Sequence, residues 1–414
     1  MSEKPRLYSH NSVYRPNCPS YSLDEIRDEF LPDLEETGLV ATDMDGTMFR
    51  NDLGKLVFLE KLSTAPDWIL DPGDFAELLV PDTYTVILNL AHAGRLPDIC
   101  SDDAEKYKRL SADCVELYTA IYSAEDQDFT IEHPLVNEFA RKMLELDRMG
   151  MEMEHIFIEG NDGQLLSRTR FFVNWNRRKI AKLTEAAMTS HQNGSRFAHL
   201  QVHPENRRVI NQRVGADELE AIDYDKKVVV VEGVRQLIAT FFNDGQGVPV
   251  RIVTTNLRGI AEGALKASPY RDLLIKQDCD GKSPILASKL ESSVHGTMGT
   301  RFKKKPIFGE VKATKLRELE ATLQRQSKTS GKKPRKTRVV FGDSVSNDAA
   351  MWTLGLENGG IAVIVGRPGE KYESIRARVQ EPFIDGEEGV RRTLGDEDVG
   401  KRIFYLEDID KQVD

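Results

Sequence analysis

The chain has 414 residues, 40% of them hydrophobic and 30% charged, with a formal net charge of −10. This is the balance of a soluble globular protein of two or three domains, and its acidity disfavours nucleic acid as the main partner. No run approaches the roughly 18 to 20 apolar residues of a membrane span, so no membrane association is expected.

The N-terminal stretch "MSEKPRLYSHNSVYRPNCPS" lacks the apolar core of a secretory signal, and the expected location is the cytoplasm. Residues 1–37 mix Pro, Ser, Asn and charge. They are expected to form a partly mobile extension with one short helix in "SLDEIRDEFLPDLEE". "LVATDMDGT" then reads as a buried strand closed by a tight turn, because the apolar residues stop at Asp43 and Gly46 permits the bend.

From residue 53 to 225 the pattern is mostly helical. In "DAEKYKRLSADCVELYTAIY" Tyr107, Leu110, Cys114, Leu117 and Ile121 recur at intervals of three and four, and "PLVNEFARKMLELDRMG" opens on a proline suited to a first helical turn. "NRRKIAKLTEAAM" is a third candidate helix. These stripes bury a helical core, and Trp68, Phe171, Phe172 and Trp175 are read first as packing residues. His199 and His203 in "HLQVH" have the spacing of a helical metal pair. They lack a following Glu and a third ligand, so a structural role is favoured. Cys18, Cys100, Cys114 and Cys279 form no C-x-x-C pair and signal neither a disulfide framework nor a zinc knuckle.

After residue 226 strands alternate with helices: "KKVVVVEGVRQLIATFF", "VPVRIVTTN", "RGIAEGALKA", "KATKLRELEATL", "TRVVFGDS". That rhythm predicts an α/β fold with a Rossmann-like parallel sheet covered on both faces. The strand ending at Asp43 belongs to the same sheet, so residues 38–52 and 226–385 are expected to form one core. Residues 53–225 then form an inserted helical cap domain, since so long a segment is no structureless loop. Residues 386–414 are expected to be a C-terminal tail. The basic runs "RFKKKP" and "KTSGKKPRKTR" are read as solvated loops.

Three of the core strands end in small polar or acidic residues: "LVATDMDGT", "VRIVTTN" and "RVVFGDSVSND". Ligands of open parallel sheets bind beyond the carboxyl ends of the strands, where Asp43, Asp45, Thr254 and Asp343 would converge. Lys312 in "FGEVKATKL" begins a helix from which its ammonium reaches the same crevice. Two aspartates one residue apart, each with a reference pKa of about 3.9, repel unless a cation joins them. Carboxylates gathered this way suit a hard cation, and Mg²⁺ fits a few oxygen ligands plus a substrate phosphate.

With these motifs in order, "DMDGT", "VTTN", the lysine of "GEVK" and "GDSVSND", the sequence resembles the haloacid dehalogenase (HAD) superfamily of phosphatases. The passage "PILASKLESSVHGTMGTRFKKKPIFGEVKATKL" is similar to the phosphoserine-phosphatase-like branch, which also carries its cap between the first and second motifs. The resemblance covers residues 39–52 and about 226–370.

It implies a Mg²⁺-dependent hydrolase acting on a small phosphorylated substrate. Asp43 would be the nucleophile that forms an aspartyl phosphate, and Asp45 the general acid/base. Asp43, Asp343 and the backbone carbonyl of Asp45 would hold the metal. Thr254 and Lys312 would hold the phosphoryl oxygens, assisted by backbone N–H groups near Thr255 and Asn256. Asp348 would position Lys312 or a metal-bound water. Thr255 remains an alternative to Thr254, and Lys315 to Lys312. Where the branch commonly carries a glutamate that grips a substrate ammonium, this chain has the shorter Asp52, which points to a phosphomonoester other than phosphoserine. A phosphotransferase or phosphomutase on the same core, or a non-catalytic binding protein of the same fold, are the alternative readings.

Overall fold

The structure is a computed structural model. It describes residues 5–10, 20–50, 53–63, 71–79, 101–124, 133–157, 172, 175–190, 230–243, 247–275, 283–304, 306–386, 390–395 and 400–408. Trp68, Phe171, Asp52, His199, His203 and three of the cysteines, Cys18, Cys100 and Cys279, lie outside these residues. The chain divides into two compact units. One comprises Met1–Asn51, Val229–Ser288 and Pro306–Asp414, the other Asp52–Val228 and Lys289–Lys305.

The first unit is built on an eight-stranded sheet. Its strands are β1 (Leu7–Ser9), β2 (Ser20–Tyr21), β3 (Gly38–Thr42), β4 (Val250–Leu257), β5 (Ile285–Ser288), β8 (Lys336–Gly342), β9 (Ile361–Pro368) and β10 (Ile403–Asp408). A separate pair, β6 (Leu290–Ser292) and β7 (Met298–Phe302), forms an antiparallel hairpin in the second unit. The sheet order is β2-β1-β10-β9-β8-β3-β4-β5. All pairings from β10 to β5 are parallel, and β1 alone runs against the other strands, pairing antiparallel with both β10 and β2.

The strands that read as continuous apolar runs are the central ones. All of Gly38–Thr42 is buried, as a strand covered on both faces requires. The chain runs from β3 to β4 on one side and later returns to β8 on the other, so the order reverses at β3. That reversal opens a crevice beyond the carboxyl ends of β3, β4 and β8.

Helices cover this sheet. The helix Val345–Glu357 buries Met351, Trp352, Leu354 and Leu356 in a cluster with Val340, Ala362 and Ile364 of the sheet. Trp352 and Phe383 meet edge-on with centroids 5.1 Å apart. Burying side chains of this size contributes about 1.5–3 kcal/mol each.

Two expectations for the chain ends need correction. Residues 1–37 hold two strands of the sheet, and the helical passage is split into Leu23–Phe30 and Leu34–Thr37. The break falls at Leu31 and Pro32, where a helix interior would lose a donor and clash with the ring. Ser22 and Glu25 close a capping box on the first of these helices. The segment expected to be a C-terminal tail supplies β10, whose Ile403, Phe404, Tyr405 and Leu406 are buried between β9 and β1.

The second unit contains the helices Leu53–Ser63, Pro72–Leu79, Ser101–Ser123, Pro134–Phe157 and Arg177–Ser190. Ser101–Ser123 buries Leu110, Cys114, Tyr118 and Ile121; Tyr118, rather than Leu117, points inward and stacks on Phe75 at 4.0 Å. The Cys114 thiol is reduced and buried, which pushes its pKa far up and makes it inert. Phe172 and Trp175 are also buried and pack edge-on at 5.9 Å, with Lys61 and Lys179 against the Trp175 ring. The β6–β7 hairpin, expected with the core, belongs to this unit: Met298 N–H donates to Trp175 O at 2.8 Å, and Asn176 bridges Thr297.

Candidate functional site

β3 ends at Thr42, and Asp43 N–H still donates to Phe341 O of β8 at 3.1 Å, so the first aspartate stands at the end of the ladder. A tight turn follows, closed by Met48 and Phe49 N–H on Met44 O at 2.9 and 3.0 Å. Gly46 has φ +73, and a Cβ there would lie 2.2 Å from Asp343 Oδ2. Glycine is required twice over, by the left-handed backbone and by the approach of a carboxylate from β8.

Lys312 comes from the first turn of the helix Glu310–Ser330 and is fully buried. Its Nζ lies 2.8 Å from Asp43 Oδ1 and 2.8 Å from Asp348 Oδ1. Lys315, one turn on, pairs with Glu318 at 2.7 Å instead and takes no part in this cluster. Asp348 spends its other oxygen, Oδ2, on the N–H groups of Asp343 and Ser344 at 3.1 and 3.2 Å. With both oxygens engaged by protein donors, it acts on the site by holding Lys312 and the Asp343 backbone.

Asp343 follows β8 directly, and Thr47 Oγ1 donates to its Oδ1 at 3.0 Å. Carboxylate oxygens of Asp43, Asp343 and Asp348 all come within 4.8 Å of one another. Burial pushes Asp343 up to about 6, and the neighbouring Asp348 carboxylate adds to the effect. Burial likewise raises Asp43 well above the ordinary carboxyl value, opposed by Lys312 and reinforced by Asp348 and Asp343. For Lys312 burial acts downward, but the carboxylates of Asp348 and Asp43 outweigh it and keep the ammonium protonated. With all three carboxylates ionised, the one ammonium of Lys312 would leave an excess of negative charge in the cluster. The three carboxylates are close enough together to offer oxygen donors to one metal ion.

On the other flank, the register of β4 against β5 shifts between Thr254 and Leu257. Such an irregularity frees residues from the ladder and re-aims their side chains. Asn256 Nδ2 donates to Asp45 Oδ2 at 2.7 Å, and Asn256 N–H donates to Thr254 Oγ1 at 3.1 Å. Thr254 is buried and is linked to Asp45 through Asn256. Thr255 turns away, its hydroxyl donating to Ile307 O at 3.0 Å.

The structure therefore brings Asp43, Lys312, Asp343 and Asp348 into one cluster and joins Asp45, on the turn after β3, to Asn256 and Thr254 of β4 in a second hydrogen-bonded group. Lys315 and the hydroxyl of Thr255 lie outside both. Several residues were missed in the sequence. Thr47 and Asn347 lie inside recognised motifs, so position was their only signal; Asn347 Nδ2 donates to Asp43 Oδ2 at 3.3 Å while its Oδ1 accepts from Gly309 N–H at 3.3 Å. The Asn256 side chain, expected to matter only through its backbone, holds Asp45. Arg378, which donates to Asp343 O at 2.7 Å, had no sequence signal.

No family model and no curated protein matches the chain. Among solved structures, a conserved functionally unknown protein from Anaerococcus prevotii DSM 20548 is similar at TM-score 0.53 and 13% identity, over 99% of this chain and 98% of that one. That likeness concerns the fold. Among the described residues, no helix is long and apolar enough to cross a membrane.

Proposed function

We propose that the protein is a Mg²⁺-dependent phosphatase of the HAD type, hydrolysing a small phosphomonoester through a phosphorylated Asp43. The single observation that carries this reading is Lys312, buried and bridging Asp43 and Asp348 at the point where the strand order reverses. A catalytic carboxylate that must attack an anion needs a fixed cation beside it, and Lys312 supplies one without solvent screening.

In this reading Asp43 and Asp343 hold the metal with the backbone carbonyl of Asp45. When bound there, the ion would supply positive charge against the phosphoryl oxygens. A carboxylate oxygen of Asp43 attacks phosphorus and the ester oxygen departs. Asp45 gives that oxygen a proton, then takes one from the water that cleaves the acyl phosphate. Asn256 keeps the Asp45 carboxyl from rotating away. Thr254 and Lys312 receive the phosphoryl oxygens. The unit formed by Asp52–Val228 and Lys289–Lys305 is read as the cap that selects the ester and excludes water. A cytoplasmic location goes with this reading, as does the absence of a nucleic-acid partner.

The test is hydrolysis of p-nitrophenyl phosphate. Mg²⁺-dependent turnover that is abolished by EDTA and by Asp43→Asn supports the proposal; equal rates under either treatment refute it. A phosphotransferase or mutase on the same residues is distinguished by adding alcohol or sugar acceptors and following phosphate into them.

A further inference from the structure

We infer that Arg378 is a positioning residue for the metal centre, clamping the Asp343 backbone so that its carboxylate is held ready for the ion. The inference rests on the reading of Asp343 as a Mg²⁺ ligand. Arg378 lies near the end of the helix Tyr372–Val379, and its side chain is 11% exposed. Nη1 donates to Asp343 O at 2.7 Å, and Nη2 reaches Val365 O at 3.4 Å. One guanidinium thus ties the residue that follows β8 to the adjacent strand β9, which pairs with β8 up to Gly342 and Ile364.

Arg378 is itself anchored. Its Nε and Nη2 meet the two oxygens of Glu370 at 3.0 and 3.1 Å, the paired geometry in which a planar guanidinium loses little further freedom. Glu370 also accepts from Arg367 N–H at 2.8 Å, which fixes it to the end of β9. Asp343 is consequently restrained on every polar group that the metal does not need. Its N–H goes to Asp348 Oδ2, its carbonyl to Arg378, and Thr47 takes Oδ1, so Oδ2 faces Gly46 with its direction set.

A residue that merely stapled β8 to β9 would affect stability alone. An outer partner that orients a ligand affects metal affinity, typically by about 10- to 100-fold. Lysine cannot reproduce the clamp, because it offers a point charge where the fork spans Asp343, Val365 and Glu370.

The experiment combines Mg²⁺ titration calorimetry with hydrogen exchange of the metal-free protein in EDTA, on wild type, Arg378→Ala, Arg378→Lys and Glu370→Gln. Expected are a Mg²⁺ dissociation constant raised about 10- to 100-fold in Arg378→Ala, with a smaller rise in Arg378→Lys and Glu370→Gln. Faster exchange confined to the segment around residues 342–345 is expected alongside. Affinities within about twofold of wild type in the folded Arg378 variants overturn the inference. Should Arg378→Ala fail to fold, Arg378→Lys and Glu370→Gln decide by the same criterion. If wild type gives no Mg²⁺ binding, the reading of the metal centre fails and takes this inference with it; binding by wild type with unaltered variants removes Arg378 alone.

Discussion

Lys312 Nζ lies 2.8 Å from Asp348 Oδ1, and neither side chain is exposed to solvent. The same ammonium lies 2.8 Å from Asp43, so one buried cation serves two carboxylates, one just past the end of β3 and one in the first turn of the helix Val345–Glu357. Removing it leaves uncompensated charge in a place that water does not reach. Lys312→Met is expected to destabilise the metal-free protein by roughly 3–5 kcal/mol, the range for breaking a buried pair. Urea unfolding in EDTA measures this, and a loss below about 1 kcal/mol would place the cluster in far better solvated surroundings.

Gly46 answers to two constraints at once. Gly46→Ala puts a Cβ where Asp343 Oδ2 now sits, 2.2 Å away, on a backbone at φ +73. The left-handed conformation alone costs roughly 1–2 kcal/mol for a residue with a Cβ. Displacement of Asp343 should also weaken Mg²⁺ binding. Unfolding and Mg²⁺ titration of this variant should therefore both change, and an unaltered Mg²⁺ affinity would mean that the carboxylate moves aside without consequence.

The two threonines of β4 separate cleanly. Thr254 accepts from Asn256 N–H inside the group that holds Asp45, whereas Thr255 donates to Ile307 O. Thr254→Val should lower kcat/KM for p-nitrophenyl phosphate by about 100-fold, the usual cost of losing one donor to developing charge. Thr255→Val should chiefly cost stability, about 1–3 kcal/mol, by leaving the Ile307 carbonyl unpaired. The reverse ranking of kinetic effects would make Thr255 the phosphate ligand.

A pH effect arises far from this crevice, at the sheet edge. His10 is buried, and its Nδ1 lies 2.6 Å from Tyr405 Oη. Burial, aided by the positive charges of Arg376 and Arg391, lowers its pKa from 6.5 to about 4. The folded state thus binds the proton less well than the unfolded state. The contribution of neutral His10 is complete above pH 6.5 and is lost as the pH falls toward 4. The stake is on the order of 3 kcal/mol at about 1.4 kcal/mol per unit. His10→Gln should flatten the acid limb of stability against pH over that window. An unchanged slope would mean that His10 titrates alike in both states.

How legible this was in the sequence depended on the range of the interaction. The strand before Asp43 and the turn at Gly46 are local, and apolar run, carboxylates and glycine announce them within nine residues of sequence, 38–46. Lys312 is the lysine of "GEVK" and Lys315 lies one helical turn on; pairing with Asp43 in one case and Glu318 in the other separates the two in space. Thr47, Asn347 and the Asn256 side chain act through hydrogen bonds to residues far away in the chain, which no periodicity encodes. Arg378 is hidden for the same reason. β10 was missed because its apolar run sits between charged residues near the chain end, where its partners β9 and β1 come from opposite ends of the sequence.

In the proposed reaction Asp43 carries the phosphoryl group, and that bond can be trapped. Acid quenching during turnover, followed by borohydride reduction and peptide mass spectrometry, should convert residue 43 from aspartate to homoserine, because reductant attacks an acyl phosphate and spares a free carboxylate. The expected result is this conversion at Asp43, dependent on Mg²⁺ and absent from Asp43→Asn. Turnover with no reducible acyl phosphate, or with one at another carboxylate, would contradict it.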